Sequence, residues 1–359
     1  NSSYWTPAAL ESRLGNRNVT WETALKQNYG IDVHFLKSRL KITADVFFED
    51  RKDILISRGT IPMISSLTSS ILPVVNMGRV KNHGYEIEVK WEDMIQDVRY
   101  WADANVSYSK NKIIEQDEVE PNEPYLWRTG KSVGAIFGYV AEGFYSEADF
   151  KEDGKLIDGL PDPKVPVYPG DVKYKDLNGD HVIDTDDQCE IGYPTRPAYT
   201  FGLNYGLNYK GWFLTMNWLG VTDRSLVLAN EFRTAFGNGG GQSLGLFSYH
   251  VDERWTPETA ETATMPRLSE NSGAHNAKQS SLWVKDGSYL RLKSVTVGYE
   301  FTDKKLLKKI GISKLGIKLS GYNLLTFDKF GIMDPECKPN NQDTYPITKT
   351  YNLGVNITF

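Results

Sequence analysis

Along much of the chain, apolar and polar residues alternate one by one. Between Tyr199 and Tyr209 the residues Tyr199, Phe201, Leu203, Tyr205, Leu207 and Tyr209 occupy one face, and Thr200, Gly202, Asn204, Gly206 and Asn208 the other. The pattern restarts after Lys210-Gly211 with Trp212, Leu214, Met216 and Trp218. A period of two is the signature of a strand whose faces meet different surroundings. Read this way, the sequence predicts nine long strands, at residues 20–35, 39–55, 78–92, 98–114, 196–209, 212–228, 289–301, 315–327 and 348–359. In YLRLKSVTVGYEF the apolar side changes between Leu292 and Val295, which predicts a bulge.

The connections alternate in length. Leu36–Ser38, Glu92–Asp97 and Lys210-Gly211 are short. Thr302–Lys314 is intermediate, with room for a small amphipathic helix. Ser57–Met77, Glu115–Pro194, Ala229–Ser288 and Asp328–Thr348 are long. Tight turns at one end and large loops at the other describe an outer-membrane barrel, whereas a sandwich has no reason to sort its loops. Phe35, Trp91, Tyr100, Trp101, Tyr209 and Trp212 flank the short turns, where an interfacial aromatic girdle belongs. The expected register turns Leu40, Ile42, Ala44 and Val46, and Tyr100, Ala102, Ala104, Val106 and Tyr108, toward lipid. It turns Lys41, Thr43, Asp45, Asp103, Asn105 and Ser107 toward the lumen. The competing reading is a soluble β-sandwich or β-solenoid whose aromatics form its core.

Composition narrows the classes. With 31 Gly, 20 Tyr and 9 Trp in 359 residues, the chain is rich in strand and turn formers. The formal charge of -5 and the lack of a basic run argue against nucleic acid as a partner. No apolar run approaches the ~20 residues of a membrane helix, a test that strands of ~10 residues escape. Cys189 and Cys337 make no disulfide framework. The first residues lack the basic and apolar regions of a signal peptide.

Several segments resemble the C-terminal part of SusC/RagA-like TonB-dependent outer-membrane transporters. They are LGNRNVTWETALKQNYGID, NMGRVKNHGYEIEV, GDVKYKDLNGDHVIDTDD, GSYLRLKSVTVGYEF and LSGYNLLTFDKFGIMDPE, followed by a last strand ending on Phe359. The resemblance implies an all-β fold: an antiparallel transmembrane β-barrel of about 22 strands with a plugged lumen, of which residues 1–359 are a nine-strand C-terminal portion. It makes 115–195 and 229–288 large extracellular loops, and it places the plug domain and the remaining N-terminal strands on another chain. It implies TonB-dependent import of an oligomeric nutrient, a glycan or a peptide, across the outer membrane. The partners would be TonB, a SusD-like surface lipoprotein, outer-membrane lipid and the oligosaccharide or peptide cargo. The alternative function is a soluble, calcium-stabilised β protein that binds carbohydrate.

One local motif carries chemistry of its own. In DLNGDHVIDTDD, Asp176, Asn178, Asp180, the Val182 carbonyl, Asp184 and Asp187 fall at positions 1, 3, 5, 7, 9 and 12 of a calcium loop. His181 stands where such a loop has Gly, and Asp187 replaces the usual Glu. An Asx-rich turn satisfying its own backbone is the other reading. The five histidines show no metal-ligand spacing, FGNGGGQSLG at 236–245 lacks the Lys of a phosphate loop, and no nucleophile signature is present. The sequence predicts no enzyme. Trp127, Tyr145, Phe236, Trp255 and Trp283 lie in or beside the long loops, placed either to stack on sugars or to pack within the loops.

Overall fold

A computed structural model describes residues 15–60, 72–236, 246–269, 273–301, 307, 309, 311–337 and 345–359. The chain divides into two units: Asn1–Tyr29, Val46–Gly84 and Ser109–Val133 in one, Gly30–Asp45, Tyr85–Tyr108 and Gly134–Phe359 in the other. Strands β1 (Thr23–Phe35), β2 (Leu40–Ile56), β3 (Val75–Ile95) and β4 (Val98–Glu115) contribute residues to both.

All nine long strands form, within a few residues of the positions set by alternation. Besides β1–β4 they are β9 (Tyr199–Tyr209), β10 (Trp212–Thr222), β13 (Tyr289–Glu300), β14 (Lys314–Asp328) and β15 (Thr350–Thr358). They make one sheet in the order β1-β2-β3-β4-β9-β10-β13-β14-β15. The strand expected over 212–228 is shorter than predicted. It ends at Thr222, where Asp223 takes a left-handed backbone (φ 55°), and the chain then leaves this sheet. The bulge is real: the register shifts between Leu292 and Ser294 against both neighbouring strands. The helix foreseen within 302–314 lies largely outside the described residues, although Leu307 is helical and buried. The glycine-rich stretch after Phe236 lies outside them too.

The two faces sort as the alternation requires. On one face Tyr108, Val106, Ala104, Ala102 and Tyr100 stand opposite Tyr199, Phe201, Leu203, Tyr205 and Leu207. The row continues through Trp212, Leu214 and Met216 to Tyr299, Val297 and Val295, and then to Ile317 and Leu319 opposite Val355 and Leu353. Much of this face is open, as at Leu319 (52%) and Leu353 (75%). On the opposite face Asp103 meets Lys90 at 3.8 Å, Ser107 meets Glu86 at 3.1 Å and Thr43 donates to Asp32 at 2.7 Å.

One girdle assignment is corrected. Trp101 sits on the polar face, its ring over Gly206, where an added Cβ would come within 2.9 Å of the indole. Its neighbour Tyr100 takes the apolar face, and two adjacent strand residues cannot share a side. Tyr209 and Trp212 close their hairpin on the apolar face, with the Trp212 ring 5.0 Å from that of Tyr299.

Within the first unit, charge pairs fasten the strand ends. Arg79 grips Asp50 with two hydrogen bonds of 2.8 and 2.5 Å. Glu118 accepts from Thr129 Oγ1 at 2.7 Å and from the Arg128 and Thr129 amides at 2.9 Å, which folds the segment after β4 back on itself.

Candidate functional site

The long connections of the second unit fold into a packed body. Three short ladders organise it: β5 (Phe137–Tyr139) with β8 (Gln188–Glu190), β6 (Ala141–Phe144) with β7 (Val172–Tyr174), and β11 (Ser225–Val227) with β12 (Val284–Asp286). One apolar cluster gathers Leu226, Leu228, Phe232, Met265, Trp283 and Phe330. A second gathers Tyr139, Val172, Tyr174 and Ile183, and Leu282 packs against both. Burying a large aromatic removes 150–250 Å² of surface from water, so Trp283 and Tyr174 supply much of the drive.

Polar contacts between residues about a hundred positions apart lock this body. Asp171 is buried and accepts from Arg267 Nε at 2.7 Å, Asn276 Nδ2 at 2.9 Å and the Tyr168 amide at 2.9 Å. Asn276 Oδ1 accepts the Val172 amide at 2.9 Å. Tyr174 donates to the His275 carbonyl at 2.8 Å, and Trp283 Nε1 donates to that of Asn276 at 2.8 Å. His275 Nε2 lies 2.8 Å from the Val172 carbonyl, which fixes the Nε2–H tautomer, and burial pushes its pKa down. A buried ion pair holds only when its remaining donors and acceptors are met, and Asn276 meets them here.

A second network ties the loop after β14 to β13. Arg291, fully buried, reaches Asp334 with two contacts of 2.6 Å and lies 3.2 Å from Glu336. Lys293, the extra residue of the bulge, reaches the same Glu336 at 2.8 Å. The bulge thereby turns a charge toward the loop that a regular strand would aim elsewhere. Burial pushes the Glu336 carboxyl up, but Lys293, Tyr289 and Arg291 outweigh it and leave the group below its usual range.

The acidic loop is well formed. Asp176 accepts the Gly179 and His181 amides at 2.7 and 2.9 Å, and Asp180 accepts that of Val182 at 2.8 Å. Asn178 accepts the Asp180 amide at 3.1 Å. Asp184 caps a single 3₁₀ turn, Thr185–Asp187, accepting from the Asp186 amide at 2.9 Å. Asp187, fully buried, accepts from the Leu177 and Asp184 amides at 2.7 and 2.9 Å, while burial and the charges of Asp176 and Asp184 push its pKa up. His181 adopts the left-handed conformation (φ 62°) that glycine normally supplies at this position. Among the described residues no group of three or more His, Cys, Asp or Glu side chains is arranged to hold a metal ion. A cation in this loop would therefore draw on Asn178 and the Val182 carbonyl as well. The nearby Lys278 ammonium lies 5.0 Å from the Tyr139 ring centre and 5.6 Å from that of Tyr174.

Of the loop aromatics, Tyr145, Trp255 and Trp283 are buried and Trp127 and Phe236 half-buried, so three of the five build the loop body. Burial pushes the Tyr145 hydroxyl up to about 12. Asp171, Arg267 and Asn276 lie in stretches without periodicity, and only the GDV start of one quoted segment marks the first of them.

The family model described as TonB dependent receptor-like, beta-barrel matches residues 1–324. TonB-dependent receptor P3 of Formosa agariphila is 27% identical over 372 residues, covering 96% of this chain and 35% of that protein. TonB-dependent receptor P26 of the same organism is 28% identical over 370 residues, covering 97% and 36%. The chain thus spans about a third of the length of the curated relatives it matches. Among solved structures, the RagAB peptide importer in its open-open state superposes with a TM-score of 0.72 at 23% identity, covering 97% of this chain and 36% of the other. At that identity the likeness speaks for the fold. The family is one of outer-membrane transporters rather than enzymes, and the soluble calcium-stabilised alternative is not favoured. The two-faced sheet, its sorted connections and this match lead to one conclusion: the chain belongs to the TonB-dependent receptor β-barrel family.

Proposed function

We propose that this chain forms the C-terminal part of a plugged barrel of about 22 strands that imports an oligomeric nutrient, a glycan or a peptide, across the outer membrane. The observation that carries the reading is the sheet's open apolar face joined to long loops that pack into an ordered body. A wall presented to lipid would hold that face, and the loop body would shape the mouth above the conduit. The two edge strands, β1 and β15, have one neighbour each in the sheet. Each unpaired N–H or C=O in hydrocarbon costs several kcal/mol, so both edges would pair with strands from the rest of the transporter and close the barrel. In this reading the remaining N-terminal portion supplies the plug, TonB supplies energy and a SusD-like lipoprotein covers the loops. The test is uptake: native cells lacking the transporter, or lacking TonB, should fail to accumulate one labelled oligopeptide or oligosaccharide class. Unchanged uptake of both classes would refute it.

The acidic loop we assign to Ca²⁺, held by Asp176, Asn178, Asp180, the Val182 carbonyl, Asp184 and Asp187. Hard oxygen donors suit that ion, and a buried carboxylate destabilised by two neighbouring acids is relieved by a cation. Its role there is to order the loop. Calcium should raise the melting temperature of the transporter, and Asp187→Asn should remove that rise. An identical melting curve with calcium and with a chelator would count against the site.

A further inference from the structure

The packed loops enclose a small cavity that the transport reading leaves unexplained. Arg233, Thr234, His250, Met265, Leu268 and Ser269 stand in its wall. Two nitrogen atoms of these residues are buried and lack a hydrogen-bond partner among the described residues. One is Nε of Arg233, the enclosed part of a half-buried side chain. An arginine Nε–H can only donate. The other is Nδ1 of His250, a residue 3% exposed. His250 Nε2 lies 3.4 Å from the Phe232 carbonyl, which places the ring proton on Nε2. Burial pushes the His250 pKa down and so favours the neutral ring. Its Nδ1 is then a bare lone pair that can only accept.

A donor and an acceptor in one wall define what fits between them. An anion would accept from Arg233 but be repelled by the His250 lone pair. A cation would suit that lone pair but be repelled by the guanidinium. Water accepts through its oxygen and donates through its hydrogens, so it suits both nitrogens. Size agrees. The cavity volume is about 30 Å³. One water needs about 10–15 Å³ on this measure, so the space takes two and excludes a sugar ring or a peptide side chain. A water is held in an interior by two to four polar partners, and Thr234 and Ser269 add hydroxyls to this wall.

We infer that this cavity is a hydration site, in which two buried waters bridge Arg233 Nε to His250 Nδ1. The bridge would tie the segment at Arg233 to the short helix Ser248–Asp252, and both to the stretch at Met265–Ser269. A bridging water of this kind is enthalpically nearly as good as a direct hydrogen bond, and it spares both nitrogens the cost of burial without a partner. The inference needs neither the import function nor the calcium assignment proposed above.

The test uses the complete transporter. A density map that resolves ordered waters elsewhere in the loop body should show two peaks in this cavity. One should lie about 2.7–3.2 Å from Arg233 Nε and the other equally near His250 Nδ1. No peak against either nitrogen in such a map would overturn the inference. Two variants probe the bridge in solution. His250→Asn keeps a polar atom near the position of Nδ1, whereas His250→Gln keeps one near Nε2 and none at Nδ1. Amide exchange across residues 246–269 should be about three- to tenfold faster in His250→Gln than in His250→Asn, the range that one hydrogen bond is worth. Equal exchange in the two variants, or faster exchange in His250→Asn, would overturn the bridge.

Discussion

The sheet and the loop body of the second unit place their apolar side chains in opposite ways. In the sheet, apolar side chains share one face and stay open, as along Ile317, Leu319, Leu353 and Val355, while charged and small polar residues pair on the other face. In the loop body the order is inverted: Trp283, Leu228 and Val172 are fully buried. The difference teaches that one chain solves two separate problems. The sheet relies on backbone pairing and, on the proposed reading, would hold its apolar face to lipid, whereas the loops rely on the ordinary hydrophobic effect.

The comparison breaks first where the loop body is hollowed. Trp283→Ala should destabilise that body by about 3–5 kcal/mol through cavity formation. Limited proteolysis should then cut within 134–288, while the heat-resistant migration of the barrel persists. Next comes the junction of loop and wall: Asp334→Ala removes both 2.6 Å contacts of the buried Arg291, leaves it only Glu336 at 3.2 Å, and should cost about 2–3 kcal/mol locally. Hydrogen exchange confined to 328–337 and the adjoining end of β13 would report it. Within the wall, Val355→Lys should cost about 2–4 kcal/mol in a lipid-folding titration, and Asn356→Lys on the other face little. Equal costs would erase the proposed difference between faces.

The smallest effect is one of pH. His275 and His250 are both pushed below their ordinary value, by burial first of all. The unfolded loop then binds more protons than the folded one below about pH 6.5, so loop stability falls as pH drops through that value. Amide exchange in the loop body should speed up on acidification while the sheet stays unchanged. His275→Gln should blunt the response.

Legibility in the sequence divides along the same line. Alternation placed all nine wall strands and foretold the bulge near Lys293, because a wall between lipid and water writes its two faces into every second residue. It misplaced Trp101, since an aromatic beside a turn carries no mark of its face, and the glycine that makes room for its ring lies 105 residues away, at Gly206. It ran one strand on through Ser225–Val227, whose apolar residues serve the loop body instead. The loop body was hidden for a physical reason: Asp171, Arg267 and Asn276 meet only in three dimensions, and nothing periodic precedes them. The acidic loop was legible as a turn by its Asx spacing, but His181, which departs from the Gly of a calcium loop, gave no sign of the left-handed backbone it adopts.

The most direct test of the central claim, that the sheet is a membrane wall with one face to lipid, is a spin-label scan of residues 315–320 and 352–357 in the complete transporter reconstituted in liposomes. Collisions with oxygen should peak at Leu315, Ile317, Leu319, Leu353, Val355 and Ile357. Collisions with a water-soluble nickel reagent should peak at the residues between them, with a period of two. Water accessibility at every position, or the same alternation in the opposite phase, would contradict the account.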